Sequence, residues 1–318
     1  MPDRAGTFGT FVKALTYDQF GEADVLTLKE VPDPHPGSDS VLVRVHAASL
    51  NPVDYKVRQG HLKGLIDTVF PAIPGWDVAG VVVKTGLDTP EFEVGDEILA
   101  YARKDVISGG TLAELVEVPV RTATRKPAGM SFEEAAALPL AGLTALQTVR
   151  RAGVSAGSTV LVHAAAGGVG SFATQLAVAS GARVVGTASP RNHDYVRSLG
   201  AEPVTYGEGL VEAARPLAPE GFDAILDFVG GPALKTVPEL LREGGVVASV
   251  ADHKARDVYG GQYIWVRPNP DDLAELAELV ANGQLKVELA RVVGLDGAAD
   301  AYRELEGGHV RGKLVVRI

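Results

Sequence analysis

The sequence contains no cysteine. Disulfides, thiolate nucleophiles and cysteine-ligated zinc are excluded with it. It also lacks any apolar run approaching the roughly 20 residues that span a bilayer. A cationic excess is missing too: Lys and Arg number 30 against 40 Asp and Glu, for a net charge of −10. That balance argues against a general affinity for nucleic-acid phosphates or anionic lipid. The opening MPDRAGTFGT has no apolar core and carries Asp3, so it reads as an arm ahead of the first strand rather than a signal peptide. What remains is ordinary for a globular chain, 46% hydrophobic and 22% charged. The expectation is a soluble, cytoplasmic protein with neither a nucleic acid nor a membrane as partner. Its 318 residues suffice for two domains.

The chain turns around VLVHAAAGGVGSFATQLA (160–177). Val160, Leu161 and Val162 make the short apolar run of a strand buried on both faces of a parallel sheet. Gly167, Gly168 and Gly170 follow, and then Val169, Phe172, Ala173, Leu176 and Ala177 recur at helical spacing. Strand, glycine turn and helix in that order form the context of a dinucleotide site. Gly167 lets backbone approach a pyrophosphate, Gly170 lets helix pack on strand, and the helix N-terminus faces the phosphates. The G-x-G-x-x-G fingerprint wants glycine where Ala165 stands, so the motif alone also fits a glycine-rich turn in any α/β domain.

The flanking sequence separates into two textures. Between residues 11 and 125 run short strands broken by Pro and Gly, clearest at 41–50, 78–86, 96–101 and 111–119. Val41, Val43 and Val45 alternate with Leu42, Arg44 and His46, the period of a strand with one buried face. Ser131 and Glu134 then form a capping box, and Pro139 breaks the helical run that follows. Strands at 183–189, 203–207, 222–230 and 244–251 alternate with helices at 192–199 and 234–241, implying a doubly wound parallel sheet. An amphipathic helix (271–283) and a strand (312–318) close the chain. The predicted organisation is α/β, with a small β-barrel domain at 1–130 and 265–318 and a nucleotide domain at 131–264 inserted between them.

The cofactor can be read from the end of the second strand. NAD sites carry an acidic residue there for the ribose 2′-OH. No carboxylate occurs from Arg183 to His193, while Ser189 offers a hydrogen bond and Arg191 a charge. NADPH is predicted over NADH; the competing reading makes Arg191 a solvated surface charge.

KALTYDQFGEADVL, NPVDYKVRQG, FPAIPGWDVAGVV, LPLAGLTALQTV, HAAAGGVG and GHVRGKLVV occur in this order along nearly the whole chain. In these motifs the chain resembles the medium-chain dehydrogenase/reductase superfamily, in its zinc-free quinone oxidoreductase and enone reductase branch. The resemblance implies a GroES-like barrel with a Rossmann domain. Where zinc alcohol dehydrogenases read His-Glu, this chain has Trp76-Asp77, and no metal is expected. The implied reaction is hydride transfer from NADPH to a quinone or to the C=C of an α,β-unsaturated carbonyl.

The same resemblance implies roles for residues. Asn51, Asp54, Tyr55 and Lys56 match the segment lining the nicotinamide and substrate cleft. Many relatives carry their tyrosine one place later, at Lys56. Tyr55 or Lys56 would donate to a developing enolate oxygen, and Asn51 would orient the nicotinamide or the carbonyl. Asp54 reads equally as a turn residue after Pro52, and Lys56 as a surface lysine. Thr144, Gly167, Gly168, Val169, Gly170, Ser189, Arg191, Asn192, Tyr206 and Val250 form the implied cofactor set. Arg311 and Lys313 would reach towards the cofactor, or serve only as an exposed basic turn. Tyr263 and Trp265 border the cleft or pack. The seven histidines show no metal-ligand spacing and are read as non-catalytic. A homodimer is implied, through the nucleotide-domain sheet at 244–251. Two other readings stand beside this one: an enoyl-thioester reductase of the same fold, and an NADPH-binding protein without turnover.

Overall fold

Ser40–Ser49 is covered on both faces rather than on the one face read from sequence: Leu42 and Ala48 are buried as well as Val41, Val43, Val45 and Ala47, and within the strand only Arg44 is exposed. This strand pairs antiparallel with Asp77–Thr85 and with Leu115–Pro119. Asp77–Thr85 continues to Glu97–Tyr101 and then Ala123–Arg125. On the other side, Lys313–Arg317 pairs antiparallel with Ala47, Ala48 and Ser49, and Leu289–Gly294 lies outside it. The end of the chain thus completes a seven-stranded sheet begun 270 residues earlier, a span of about that size separating Ser40 from Lys313. The computed structural model describes residues 11–318, and the arm read at residues 1–10 lies outside them.

The second sheet has six strands, all parallel, in the order Glu202–Thr205, Arg183–Ala188, Thr159–Val162, Phe222–Asp227, Leu241–Ser249, Gln262–Tyr263. Val160, Leu161 and Val162 are fully buried at its centre, as a strand covered on both faces requires. The chain leaves Thr159–Val162 to one side and returns for Phe222–Asp227 on the other. This reversal opens a crevice at the carboxyl ends of the strands, the usual ligand position in such sheets.

Two helices connect the sheets. Ser131 caps the first, its hydroxyl accepting from Glu134 N–H at 3.2 Å while Glu134 accepts from Ser131 N–H at 3.1 Å. Phe132–Ala137 buries Ala135, Ala136 and Ala137 on the seven-stranded sheet. Pro139 starts a new helix, Pro139–Arg151, which packs on Gly168–Ala179 and on Pro270–Ala281. The crossing from one sheet to the other therefore happens at the proline.

Local departures from the sequence reading have local causes. The helix read at 192–199 opens as a 3₁₀ turn at Pro190–Asn192 before the α-helix His193–Ser198. That at 234–241 is mostly a 3₁₀ stretch, Gly231–Thr236, with one α-turn at Val237–Leu240 around Pro238. The stretch 244–251 is not the outer edge of its sheet over its second half, because Gln262–Tyr263 pairs with Ala248 and Ser249.

Gly170 holds the glycine helix against the preceding turn. A Cβ there would lie 2.0 Å from the carbonyl oxygen of Ala164, a backbone atom that cannot step aside. Gly170→Ala is expected to cost about 3 kcal/mol, a fall of roughly 6–12 °C in Tm measured by thermal unfolding. An unchanged Tm would show that helix and turn can separate freely.

Candidate active site

The turn after Thr159–Val162 is shaped by a few hydrogen bonds. Ala164 takes a left-handed conformation, φ 55°, unusual for a residue with a side chain. Its N–H donates to Thr187 Oγ1 on the neighbouring strand at 3.0 Å, and its carbonyl accepts from Gly167 N–H at 2.9 Å. Gly167 then caps Gly168–Ala179 with extended backbone. A Cβ on Gly167 would meet only Ala164 O, at 3.3 Å, and otherwise open space. Bare backbone beside a helix N-terminus suits an anionic phosphate. Val169 is half-buried on the first turn of this helix, and Gly170 is buried behind it.

Further along the crevice, Ser189 and Asn192 are half-buried and linked by Asn192 Nδ2 donating to Ser189 Oγ at 3.3 Å. Arg191 is exposed and donates to the carbonyl of His309 at 3.1 Å. Arg311 pairs with Glu288 at 2.8 Å, and its guanidinium lies 5.2 Å from the ring centre of Tyr195. Tyr206 is exposed, and Val250 is half-buried at the end of Leu241–Ser249, its N–H donating to Asp227 O at 3.2 Å. Thr144 is buried, with its hydroxyl donating to Leu140 O at 2.6 Å. The residues fit a 2′-phosphorylated dinucleotide: a bare glycine turn at one end and, at the other, the hydroxyl, amide and guanidinium of Ser189, Asn192 and Arg191, with no carboxylate from Arg183 to His193 and Glu288 already paired with Arg311.

The opposite wall contains a buried polar cluster. Asn51 caps Pro52–Arg58, and its N–H donates to Asp54 Oδ2 at 2.8 Å. The Asn51 amide nitrogen donates to Asp77 Oδ2 at 2.8 Å, and its oxygen accepts from Lys313 Nζ at 2.5 Å. Lys313 Nζ also donates to Leu50 O at 3.0 Å. Asp77 accepts in addition from Ser49 Oγ at 2.8 Å and from Leu140 N–H, at the head of Pro139–Arg151, at 2.9 Å. All of these side chains are under 5% exposed. Three donors converging on Asp77 match an ionised carboxylate. Burial pushes its pKa up and that of Lys313 down, and the two charges oppose those shifts in each other.

Asp54 is different. Burial lifts its carboxyl to about 7, aided by the charge of Asp77 and opposed by Asn51 N–H, by Lys313 and by Tyr302. Tyr302 OH donates to Asp54 Oδ2 at 3.3 Å, whereas Oδ1 is buried without a partner. Burial also raises Tyr302 well above its ordinary value. Arg58, buried beside it, donates to Gly21 O and pairs with Glu306 at 2.5 Å. On the same helix, Tyr55 is half-buried, its phenol pKa raised by burial and then by Glu306. Lys56 is exposed and has no side-chain partner among the described residues.

Of the residues singled out from sequence, Asn51, Asp54 and Lys313 therefore meet in one cluster, whereas Tyr55 and Lys56 face outward. Lys313 is not part of an exposed basic turn. Sequence reading gave Asp77 only a negative part and passed over Ser49, Arg58 and Tyr302. The pairing of Ser49 with Asp77 across adjacent strands is where the missing signal lay. Tyr263 and Trp265 are half-buried in a segment fixed to Pro139–Arg151 by Gln147, which bonds the backbone of Arg267 twice. His163 is buried, and its pKa is lowered by burial. Among the described residues no group of three His, Cys, Asp or Glu is placed to hold a metal ion, and no helix is long and apolar enough to cross a membrane.

Comparison with known proteins shows the family and the fold. Residues 37–128 match the alcohol dehydrogenase GroES-like domain and residues 199–316 the zinc-binding dehydrogenase family. A chloroplast envelope quinone oxidoreductase homolog of Arabidopsis thaliana is 34% identical over 97% of this chain and 99% of its own. An NADPH-dependent alkenal/one oxidoreductase of the same plant is 36% identical over 96% of this chain and 79% of its own. Among solved structures, the quinone oxidoreductase from Coxiella burnetii superposes with a TM-score of 0.88 at 36% identity, covering 97% of this chain and 100% of that one.

The raised carboxyl of Asp54 has a consequence for stability. Its folded pKa, about 7, exceeds the unfolded value of about 3.9. The stabilisation from this group is therefore complete below pH ~4 and lost as pH rises through about 7. Asp54→Asn keeps an acceptor for Asn51 N–H and removes the ionisation. The Tm of the variant relative to wild type is expected to climb between pH 5 and 8, by ~2 kcal/mol or on the order of 5 °C. Parallel Tm curves across that range would rule out a titrating Asp54.

Proposed function

The chain belongs to the medium-chain dehydrogenase/reductase superfamily, in its quinone oxidoreductase branch, and on that premise we propose that it is an NADPH-dependent reductase of quinones or α,β-unsaturated carbonyls. The observation that carries this reading is the crevice beside Gly167, bare at the phosphate turn and free of carboxylates from Arg183 to His193. The names of the relatives support both the cofactor and the acceptor class.

In this proposal Gly167, Gly168 and Val169 receive the pyrophosphate, Gly170 keeps the helix close, and Ser189, Arg191 and Asn192 hold the 2′-phosphate. Tyr206 and Val250 border the adenosine and ribose, and Thr144 lies towards the nicotinamide. Bound NADPH supplies hydride to the electron-poor acceptor, whose carbonyl oxygen gathers negative charge in consequence. Tyr55 and Lys56 are the donors assigned to that oxygen. Asn51 and Asp54 act behind them, since the Asn51 amide and Asp54 Oδ2 are engaged within the protein. Residues 1–130 and 265–318 make the substrate-binding unit and 131–264 the nucleotide unit. A cytoplasmic site of action belongs to the same proposal. A homodimer would use the edge of the parallel sheet, where Gln262–Tyr263 is outermost.

Two measurements test the proposal. NADPH oxidation should proceed with 9,10-phenanthrenequinone or an alkenal, and kcat/KM should favour NADPH over NADH. Tight NADPH binding without turnover on any acceptor would favour a binding protein, and turnover confined to enoyl-CoA would favour a thioester reductase. Arg191→Ala should raise KM for NADPH about tenfold, the loss of one charge-assisted contact, with NADH kinetics unmoved. Lys56→Ala should lower kcat with an enone, and full activity would remove Lys56 from the reaction.

A further inference from the structure

Lys313 touches both halves of the site at once. Its ammonium is fixed among Asn51 Oδ1, Leu50 O and, through Asn51, the carboxylate of Asp77. Its stem runs the other way, along the glycine turn. A Cβ built on Gly168 would sit 2.8 Å from Lys313 Cδ and 3.6 Å from Cγ. The backbone follows the same path: Gly312 N–H donates to Ala166 O at 3.1 Å, and Gly167 and Gly312 form a parallel bridge. On its other side Gly312, with φ 75°, packs against Glu288, whose carbonyl oxygen a Cβ there would meet at 2.2 Å.

A lysine with a buried ammonium and a stem lying on Gly168 has two natural readings. It could bind a cofactor phosphate directly, but its charge points into the opposite wall, where acceptors already hold it. We infer instead that Lys313 is a positioning residue: anchored by the Asn51–Asp77 pair, its stem forms the floor under Gly168 and sets the height of the pyrophosphate turn relative to the substrate wall. Gly168 and Lys313 then form one contact across the junction of the two sheets. Asn51, Ser49 and Leu140 already donate to the two oxygens of Asp77; its part is to keep the anchor charged and in place.

This inference rests on the proposal that the Gly167 turn holds NADPH, and a double-mutant cycle separates the two. NADPH affinity is measured by fluorescence titration for wild type, Lys313→Met, Gly168→Ala and the double variant. Lys313→Met frees the stem, and Gly168→Ala pushes against it, so each alone should weaken NADPH about tenfold. In the double variant the freed stem yields to the new methyl, and the loss should stay near that of one single variant rather than near a hundredfold. Affinity for 2′-AMP, which has no pyrophosphate, should be unchanged throughout. Independent, multiplying losses would overturn the inference, as would equal weakening of 2′-AMP and NADPH. Should Lys313→Met not fold, Lys313→Met/Asp77→Asn removes both buried charges together, and the same cycle is run on that background. Failure of the wild type to bind NADPH would instead sink the functional proposal itself.

Discussion

A buried charge pair at the meeting of two sheets constrains this molecule more than any other contact. Asp77 and Lys313 are both under 5% exposed and are joined through the amide of Asn51. Burying one of these charges alone would be strongly unfavourable, and the pair is made tolerable by the hydrogen bonds to Asp77 from Ser49, Asn51 and Leu140 and those from Lys313 to Leu50 and Asn51. The matching recruits the end of Ser40–Ser49, the cap of Pro52–Arg58, the head of Pro139–Arg151 and the start of Lys313–Arg317. With Asp77 itself, four stretches of sequence, at residues 49–51, Asp77, Leu140 and Lys313, are thereby fixed at one point. That point adjoins the glycine turn, to which the stem of Lys313 and the backbone of Gly312 tie it.

The two walls solve different problems. On the nucleotide side the need is close approach, met by omitting side chains at Gly167, Gly168 and Gly170 and by bending the chain at Ala164. On the substrate side the need is to hold charge away from water, met by side chains of definite length. Asp54 marks the limit of the second solution. One of its oxygens has no partner, and burial lifts its carboxyl to about 7.

The two walls were also unequally visible in sequence. Strand, glycine turn and helix are consecutive, so their periodicity and spacing announce the parallel sheet and the phosphate end of the crevice. The gap in acidic residues around Ser189 and Arg191 is equally local. The Asp77 cluster is not. Asp77, Asn51 and Lys313 each sit in an unremarkable setting, after a tryptophan, before a proline and after a glycine, and only strand pairing brings them together. A lysine near the end of a chain reads as solvent-exposed because most lysines are; its burial here follows from tertiary neighbours that no window of sequence contains. The 3₁₀ stretches at Pro190–Asn192 and Gly231–Thr236 escaped for a smaller reason, since proline and glycine permit several tight turns and do not choose among them.

The pairing of Lys313–Arg317 with Ala47, Ala48 and Ser49 also bears on how the chain is made. A ribosome emits the partner strand more than 260 residues ahead of the one that covers it. Throughout that interval the nascent substrate half carries an open sheet edge and an unneutralised Asp77, while the parallel sheet can already assemble from its own consecutive units. The antiparallel sheet therefore reaches its full pairing only after Lys313–Arg317 has been made.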